Sequence, residues 1–300
     1  MIAAHDNGRY RGYLAYDEPM ARHVSWRTGG PARCYFEPAD MAELEQFLAG
    51  LETDEPLLWL GLGSNLLVRD GGFPGTVIAT AKALQGLSHE GDCMWRVEAG
   101  VACAKLARQS AAQGCAGAEF MAGIPGSIGG ALAMNAGAFG GETWSIVTQV
   151  QMLDRYGQRH TRSAEDFQIG YRSVRGRAGE WFVAAWFGLQ PAATDGMAHI
   201  KSLLARRGET QPLGQASCGS VFRNPPGDHA ARLIESCGLK DQRVGAACVS
   251  SKHANFIINM GSASASDIEA LIGQVRDTVE REHGVRLIPE VRIVGEHGHG

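Results

Sequence analysis

Apolar positions along the chain recur with two different periods. Met41, Leu44, Phe47, Leu48 and Leu51 repeat at helical spacing behind Asp40-Met41-Ala42-Glu43, whose spacing is that of a capping box, and predict an amphipathic helix. A second stripe, Ile268, Leu271, Ile272, Val275 and Val279, is opened by Ser266-Asp267-Ile268-Glu269 and stopped by Gly284; its apolar face is core. Residues 101–113, ending at Gly114, predict another helix, as do Ile200, Leu203 and Leu204, and then residues 230–237. The remaining apolar runs are strand-length: 57–60, 66–68, 76–79, 94–98, 181–189 and 254–259. Residues 146–153 and 158–161, joined by Asp154-Arg155-Tyr156-Gly157, predict a β-hairpin. The mixture is an α+β fold. Turn signals at Ser25 to Ala32 and a linker at Pro191 to Gly196 divide it into an N-terminal segment, 1–24, a first domain, 25–192, and a second, 193–300.

The segment from Gly123 to Gly140, GIPGSIGGALAMNAGAFG, follows neither period. Its glycines, single proline and small apolar residues permit sharp bends and close backbone approach but offer little side-chain chemistry. Helices crossing through small residues are one reading of such a stretch, and a loop wrapped around a ligand is the other. In the second reading, Gly126-Ser127-Ile128-Gly129-Gly130 leads into a short helix at 131–134 whose free N–H groups and dipole would face a phosphate, which makes a diphosphate cofactor the expected guest. Gly61-Leu62-Gly63-Ser64-Asn65-Leu66-Leu67-Val68 also follows a buried strand. Leu66 stands where a dinucleotide fingerprint needs its third glycine, and no Gly-Lys-Ser/Thr follows, so neither the Rossmann nor the P-loop pattern is met. What remains is either a structural tight turn or an anion cradle of backbone N–H groups with Ser64 and Asn65.

Composition narrows the partners. A chain of 300 residues, 44% hydrophobic and 20% charged, is long enough to bury about 75% of its unfolded surface. A net charge of −4 without any long Lys/Arg run argues against nucleic acid and leaves room for a local basic pocket that takes a small anion. The ten histidines show no HExxH or similar ligand spacing, so no metal is expected. Cys34, Cys93, Cys103, Cys115, Cys218, Cys237 and Cys248 are odd in number and contain no CxxC pair; they read as reduced thiols of a cytosolic protein. The stretch MIAAHDNGRYRGYLAYDEP has no apolar core of signal-peptide length, and no run approaches a membrane span, so a cytoplasmic protein without membrane insertion is expected. Cys34, Cys218 and the tail with His297 and His299 acquire no role.

Seven blocks then fall into one order: Thr28-Gly29-Gly30-Pro31-Ala32, GLGSNLLV (61–68), GIPGSIGG…MNAGAFG (123–140), Tyr171-Arg172, GSVFRNP (219–225), KHANFIIN (252–259) and PEVRIVG (289–295). In these blocks the chain resembles the UDP-N-acetylenolpyruvoylglucosamine reductases over nearly its whole length. The resemblance implies an FAD-binding domain of the vanillyl-alcohol-oxidase/p-cresol-methylhydroxylase type, made of two α+β lobes, followed by a C-terminal α+β substrate-binding domain. It implies NADPH-dependent reduction of UDP-N-acetylglucosamine enolpyruvate to UDP-N-acetylmuramate, a step of peptidoglycan synthesis. FAD would be held non-covalently, NADPH would be the co-substrate and a nucleotide sugar the small-molecule partner. A monomer is the default expectation.

Carried over motif by motif, the resemblance implies FAD contacts from Thr28 and Gly29, and from Gly61, Gly63, Ser64, Asn65 and Leu66. The second glycine loop would add Gly123, Ile124, Pro125, Gly126, Ser127 and Gly130, with Asn135, Gly137 and Arg292 completing the set. Hydride would pass from flavin N5 to the enol carbon, leaving an enolate-like dianion that needs fixed positive charge and a proton donor. Ser220 is implied as that donor, Arg172 as the cation beside the substrate carboxylate, and Glu290 as the group completing the enolate site. A serine is a poor acid in water, so Ser220 would need preorganised neighbours. Arg223 and Asn224 are implied contacts for the diphosphate or sugar, with Tyr171 and His253 also facing the substrate.

Three features depart from the family pattern. Arg223 stands where many relatives have Lys, Ser173-Val174 follows Arg172 where the serine often comes one residue later, and the interval from Pro225 to Glu290 has no room for the long tyrosine-bearing insertion of the larger members. The chain therefore resembles the shorter class. A related FAD-dependent alcohol or sugar oxidase, and a non-catalytic nucleotide-sugar or flavin-binding module, are the alternatives.

Overall fold

The structure is a computed structural model and describes residues 9–298. Residues 1–8 of the expected N-terminal segment, and His299 of the tail, lie outside the described residues. The α+β expectation is met, in two compact units that do not follow a single cut in the chain. One takes residues up to Tyr16, Cys34–Leu62 and Gly75–Arg207; the other takes Asp17–Arg33, Gly63–Pro74 and the chain from Gly208 onward.

The first unit has two hydrophobic cores. Around Phe36, Leu44, Leu48 and Ile78 runs a four-stranded sheet in the order Tyr13–Pro19, Pro31–Glu37, Phe73–Ala79, Leu57–Leu60, its last two strands parallel. The predicted helix spans Met41–Ala49, and the Asp40 side chain accepts from the N–H of Glu43. Glu43 does not return the bond: its carboxylate, 5% exposed, accepts from the N–H groups of Arg11, Gly12 and Ala39 at 2.6, 3.0 and 2.7 Å. The expected capping box is thus half made, because Glu43 anchors the segment before the first strand instead. The second core, around Val97, Leu106, Met121, Ile128 and Phe187, lies against a five-stranded antiparallel sheet in the order Arg159–Ser163, Val147–Asp154, Glu180–Gly188, Met94–Glu98, Leu87–His89. Val147–Asp154 and Arg159–Ser163 form the predicted hairpin, and Cys103–Ala112 is the predicted helix.

One expectation for this unit is corrected. Cys93 and Cys115 are joined by a disulfide, with Cα atoms 5.6 Å apart, so the seven cysteines are not all reduced thiols. Parity and spacing carry no sign of this pair, because tertiary ladders create it. The Cys93 carbonyl accepts from the N–H of Leu189, and Cys115 pairs with Pro191, so the chain leaving strand Glu180–Gly188 gathers both cysteines. Cys34, Cys103, Cys218, Cys237 and Cys248 are free thiols.

The second unit is built on the helix Ala265–His283, whose buried Ile268, Leu271, Ile272, Val275 and Val279 are the predicted stripe. The helix starts earlier than the Ser266 to Glu269 pattern suggested: Ser264 and Asp267 form the reciprocal capping box, each bond 3.0 Å. This frees Ser266 to donate to Asp70 and Glu269 to accept two bonds from Arg69, at 2.9 and 2.8 Å. Against the helix pack a three-stranded antiparallel sheet, Arg243–Val244, Ala247–Val249, Ile257–Asn259, and a core holding Trp26, Leu67, Val221, Phe222 and Leu233. Trp26 has no exposed surface; its Nε1 donates to the Ile257 carbonyl and its own carbonyl accepts from Asn259 Nδ2, both at 2.8 Å. Leu66–Val68 pairs in parallel with Arg292–Val294, which joins segments more than two hundred residues apart.

The Arg69 hydrogen bonds, opposed by partial burial, hold the Glu269 carboxyl below its ordinary value of 4.5. A depressed carboxylate contributes stability above its unfolded pKa and loses it as pH falls through the folded one. Glu269→Gln should therefore cost about 1 kcal/mol near neutral pH, and the deficit should shrink below pH 4.5. Urea unfolding at both pH values checks this; an undiminished deficit in acid would show that the ion pair is not its source.

Candidate active site

In the first unit, the 123–140 segment makes one backbone surface with the start of the other glycine loop. The helix spans Ile128–Met134, earlier than the expected 131–134, with Ser127 as its N-cap. Its first N–H groups are already bonded: Ile128 to the Val101 carbonyl and Gly129 to the Ala99 carbonyl, both at 2.8 Å, and Gly130 to Ser127 Oγ at 3.5 Å. They are not free to meet a phosphate, which corrects that expectation and leaves the turn before the helix as the part that can. Gly123 and Ile124 enter this turn buried, Pro125 is exposed, and the Gly126 carbonyl accepts from the N–H of Cys103 at 2.9 Å. A Cβ on Gly61 would stand 2.1 Å from Ser127 Oγ, closer than any non-bonded contact, so glycine at 61 is what lets the two loops touch. A diphosphate gripped by both loops fits this backbone cradle, which a side chain at 61 would fill.

The same segment carries the Tyr171-Arg172 turn. Arg172 donates from Nη1 to the Asn135 carbonyl at 3.4 Å and from Nη2 to the Gly137 carbonyl at 2.8 Å. Its guanidinium lies 5.6 Å from the ring of Tyr171, which is half exposed. Arg172 has φ +51°, a left-handed backbone that a non-glycine residue seldom adopts and that clusters at functional positions.

In the second unit, four of the motif segments are stitched together. The Asn255 side chain accepts from the N–H of Phe222 at 2.9 Å and donates to its carbonyl at 2.8 Å, and the Asn255 carbonyl accepts from the N–H of Val221. The N–H of Glu290 donates to the Val221 carbonyl at 2.7 Å, so the backbone of Glu290 lies beside that of Ser220 and Val221. Asn65 Nδ2 donates to the Glu290 carbonyl, and the Asn65 carbonyl accepts from the N–H of Arg292, both at 3.1 Å. Gly63 takes φ +62°, and a Cβ there would lie 2.1 Å from the His23 carbonyl oxygen. Thr28 is buried, Gly29 sits against Val68, Ser64 is half-buried, and Leu66 is in the strand paired with Arg292–Val294. Asn255 is the residue here that the motif reading passed over; an asparagine inside an apolar strand run was its only signal.

Two buried nitrogens of this unit, Arg223 Nε and His253 Nδ1, have no hydrogen-bond partner in the protein. Buried polar atoms are nearly always paired, so both are suited to a polar ligand. Burial, foremost, holds His253 below the ordinary histidine pKa, which keeps the imidazole neutral near pH 7. The Asn224 side chain accepts from the N–H of Ala230 at 3.1 Å, at the start of helix Ala230–Ser236. Burial pushes the Cys218 thiol up to about 12; its Sγ contacts the carbonyls of Gly63 and Leu66 at 3.8 and 3.5 Å and braces that loop as a protonated thiol. Among the described residues no group of His, Cys, Asp and Glu could hold a metal ion, and no helix is long and apolar enough to cross a membrane.

The fold and its paired glycine loops define a flavin-binding protein: residues 32–163 match the family model described as an FAD binding domain. Residues 211–294 match the model of the C-terminal domain of UDP-N-acetylenolpyruvoylglucosamine reductase. The reductase of that name from Alkalilimnicola ehrlichii is 62% identical over 286 residues, 95% of this chain and 96% of the relative. That of Methylococcus capsulatus is 58% identical, with 95% and 94% covered. The crystal structure of the Thermus caldophilus reductase superposes with a TM-score of 0.80 at 32% identity, covering 94% of this chain and 98% of the other. The chain belongs to the UDP-N-acetylenolpyruvoylglucosamine reductase family.

Gly61→Ala should weaken FAD retention about 10-fold, because the methyl group would force the loops apart. Flavin absorbance per chain after desalting measures this, and Ser127→Gly in the same chain should restore part of the loss. Undiminished flavin in Gly61→Ala would show that the contact of the two loops does not shape the cofactor site.

Proposed function

We propose that the chain reduces UDP-N-acetylenolpyruvoylglucosamine to UDP-N-acetylmuramate with electrons from NADPH, as a cytoplasmic monomer in peptidoglycan synthesis. The observation that carries this is identity of 62% across 95% of the chain with a reductase of that name, with the flavin and reductase domain matches both present. Functionally, residues 25–192 would serve the cofactor and 193–300 the substrate.

FAD, held without a covalent bond, supplies the hydride that NADPH provides. The protein's part is to bind the enol ether, hold the charge that develops on its carboxylate and deliver one proton. Arg172 is always charged and planar, and binds that carboxylate through two parallel bonds, with more effect as negative charge builds. Ser220 gives its Oγ proton to the carbon that bears the ether oxygen. Glu290 completes the surroundings of the enolate, and the bond between its N–H and the Val221 carbonyl supports its place next to Ser220. The unpaired nitrogens of Arg223 and His253 take polar atoms of the nucleotide sugar, with Asn224 and Tyr171 alongside.

Anaerobic mixing tests the two halves in turn. NADPH should bleach the flavin, and UDP-N-acetylglucosamine enolpyruvate should restore its colour; bleaching without recovery would mean the acceptor is another molecule. Ser220→Ala should leave FAD content and flavin reduction by NADPH near wild type while slowing recovery about 10²–10³-fold. Loss of flavin loading in that variant would withdraw the proton-donor role.

A further inference from the structure

We propose that Asn135 is a positioning residue that sets the place of Arg172, an inference that rests on the role given to Arg172 above. Asn135 ends the helix Ile128–Met134 in a left-handed conformation, φ 47°, and is 1% exposed. Its Nδ2 donates to Glu142 Oε2 at 2.9 Å and to the Gly170 carbonyl at 3.2 Å, while Oδ1 accepts from the N–H of Trp144 at 3.1 Å. With both amide hydrogens and the oxygen engaged, the orientation of this side chain is set by its partners.

Those partners lead to Arg172 by two routes. Through its side chain, Asn135 holds the carbonyl of Gly170, two residues before Arg172 in the turn between Gln168–Gly170 and Ser173–Arg175. Through its backbone, it accepts from Arg172 Nη1 and stands two residues from Gly137, which accepts from Nη2 and pairs with Glu142 across a short ladder. The main chain before Arg172 is thus tied to the buried amide of Asn135, and the Arg172 guanidinium to the main chain of Asn135 and of Gly137.

Such a tie is needed here. The hairpin has three-residue strands, the first of them exposed throughout, and a two-stranded ladder of this length is marginal in water. Its turn also holds Arg172 in a left-handed conformation that is unfavourable for a residue with a Cβ. Left to itself, the turn would relax and move the guanidinium, and a displacement of about 1 Å can cost two orders of magnitude in rate.

Asn135→Asp keeps the size, the left-handed preference and the acceptor for Trp144 while removing both donors. It should slow flavin reoxidation by the enol ether about 10-fold, and more than it slows flavin reduction by NADPH. Because the effect runs through Arg172, Asn135→Asp combined with Arg172→Lys should reoxidise no more slowly than Arg172→Lys alone. Glu142→Ala, at an exposed position, removes one partner of the amide without risk to folding and should slow reoxidation about 3-fold. Equal slowing of both half-reactions by Asn135→Asp, or multiplied defects in the double variant, would overturn the inference. If Asn135→Asp loses its flavin, an unchanged reoxidation rate in Glu142→Ala overturns it instead. Wild-type reoxidation in Arg172→Lys would strike the reading of Arg172 itself, and this inference with it.

Discussion

The two hydrogen bonds between the Asn255 amide and the main chain of Phe222 show what the rest of this structure depends on. Motif segments far apart in the chain are held together by asparagine side chains bonded to main-chain groups, with Asn135, Asn255 and Asn259 buried and Asn65 half-buried. Asn65 ties the first glycine loop to the Glu290 backbone, Asn259 ties Trp26 to the C-terminal sheet, and Asn135 ties the second glycine loop to the Arg172 turn. A buried amide left without its partner costs about 1–3 kcal/mol. Each joint therefore selects one arrangement of loops over many alternatives, a property that apolar packing alone supplies weakly.

This construction suits a site whose side chains do little chemistry unaided. His253 is held neutral and Cys218 protonated, each chiefly by burial. Group geometry, more than the reactivity of any one residue, then sets what the chain can do. Glycines at 61 and 63 serve the same end by letting the Ser127 side chain and the His23 main chain, respectively, approach more closely than a Cβ would allow.

Much of the local structure was legible from period and punctuation. The helices Met41–Ala49 and Ala265–His283, the hairpin of Val147–Asp154 with Arg159–Ser163, and the stop at Gly284 lie where apolar spacing and turn residues put them. Cap details were less legible. Asp40 caps its helix but Glu43 serves the amides of Arg11, Gly12 and Ala39, and the box at the last helix uses Ser264 and Asp267 because Ser266 and Glu269 are taken by Asp70 and Arg69. A helix start is read from a few residues in a row, and any one of them can be claimed by a tertiary partner.

By itself the sequence determined the α+β class, the positions of its clearest helices and strands, and, through the order of its motif blocks, the family. These follow from short-range physics and from residue identity, both of which are written along the chain. The tertiary structure alone decided that Trp26 and Leu67 belong to the same core as the C-terminal helix, that Cys93 meets Cys115, and that the amides at the start of the 128–134 helix are already bonded. It also decided that Asn65, Val221, Asn255 and Glu290 form one bonded cluster. Each of these is a pairing across tens to hundreds of residues, set by which backbone groups are left unpaired after the sheets form, and no local pattern records that.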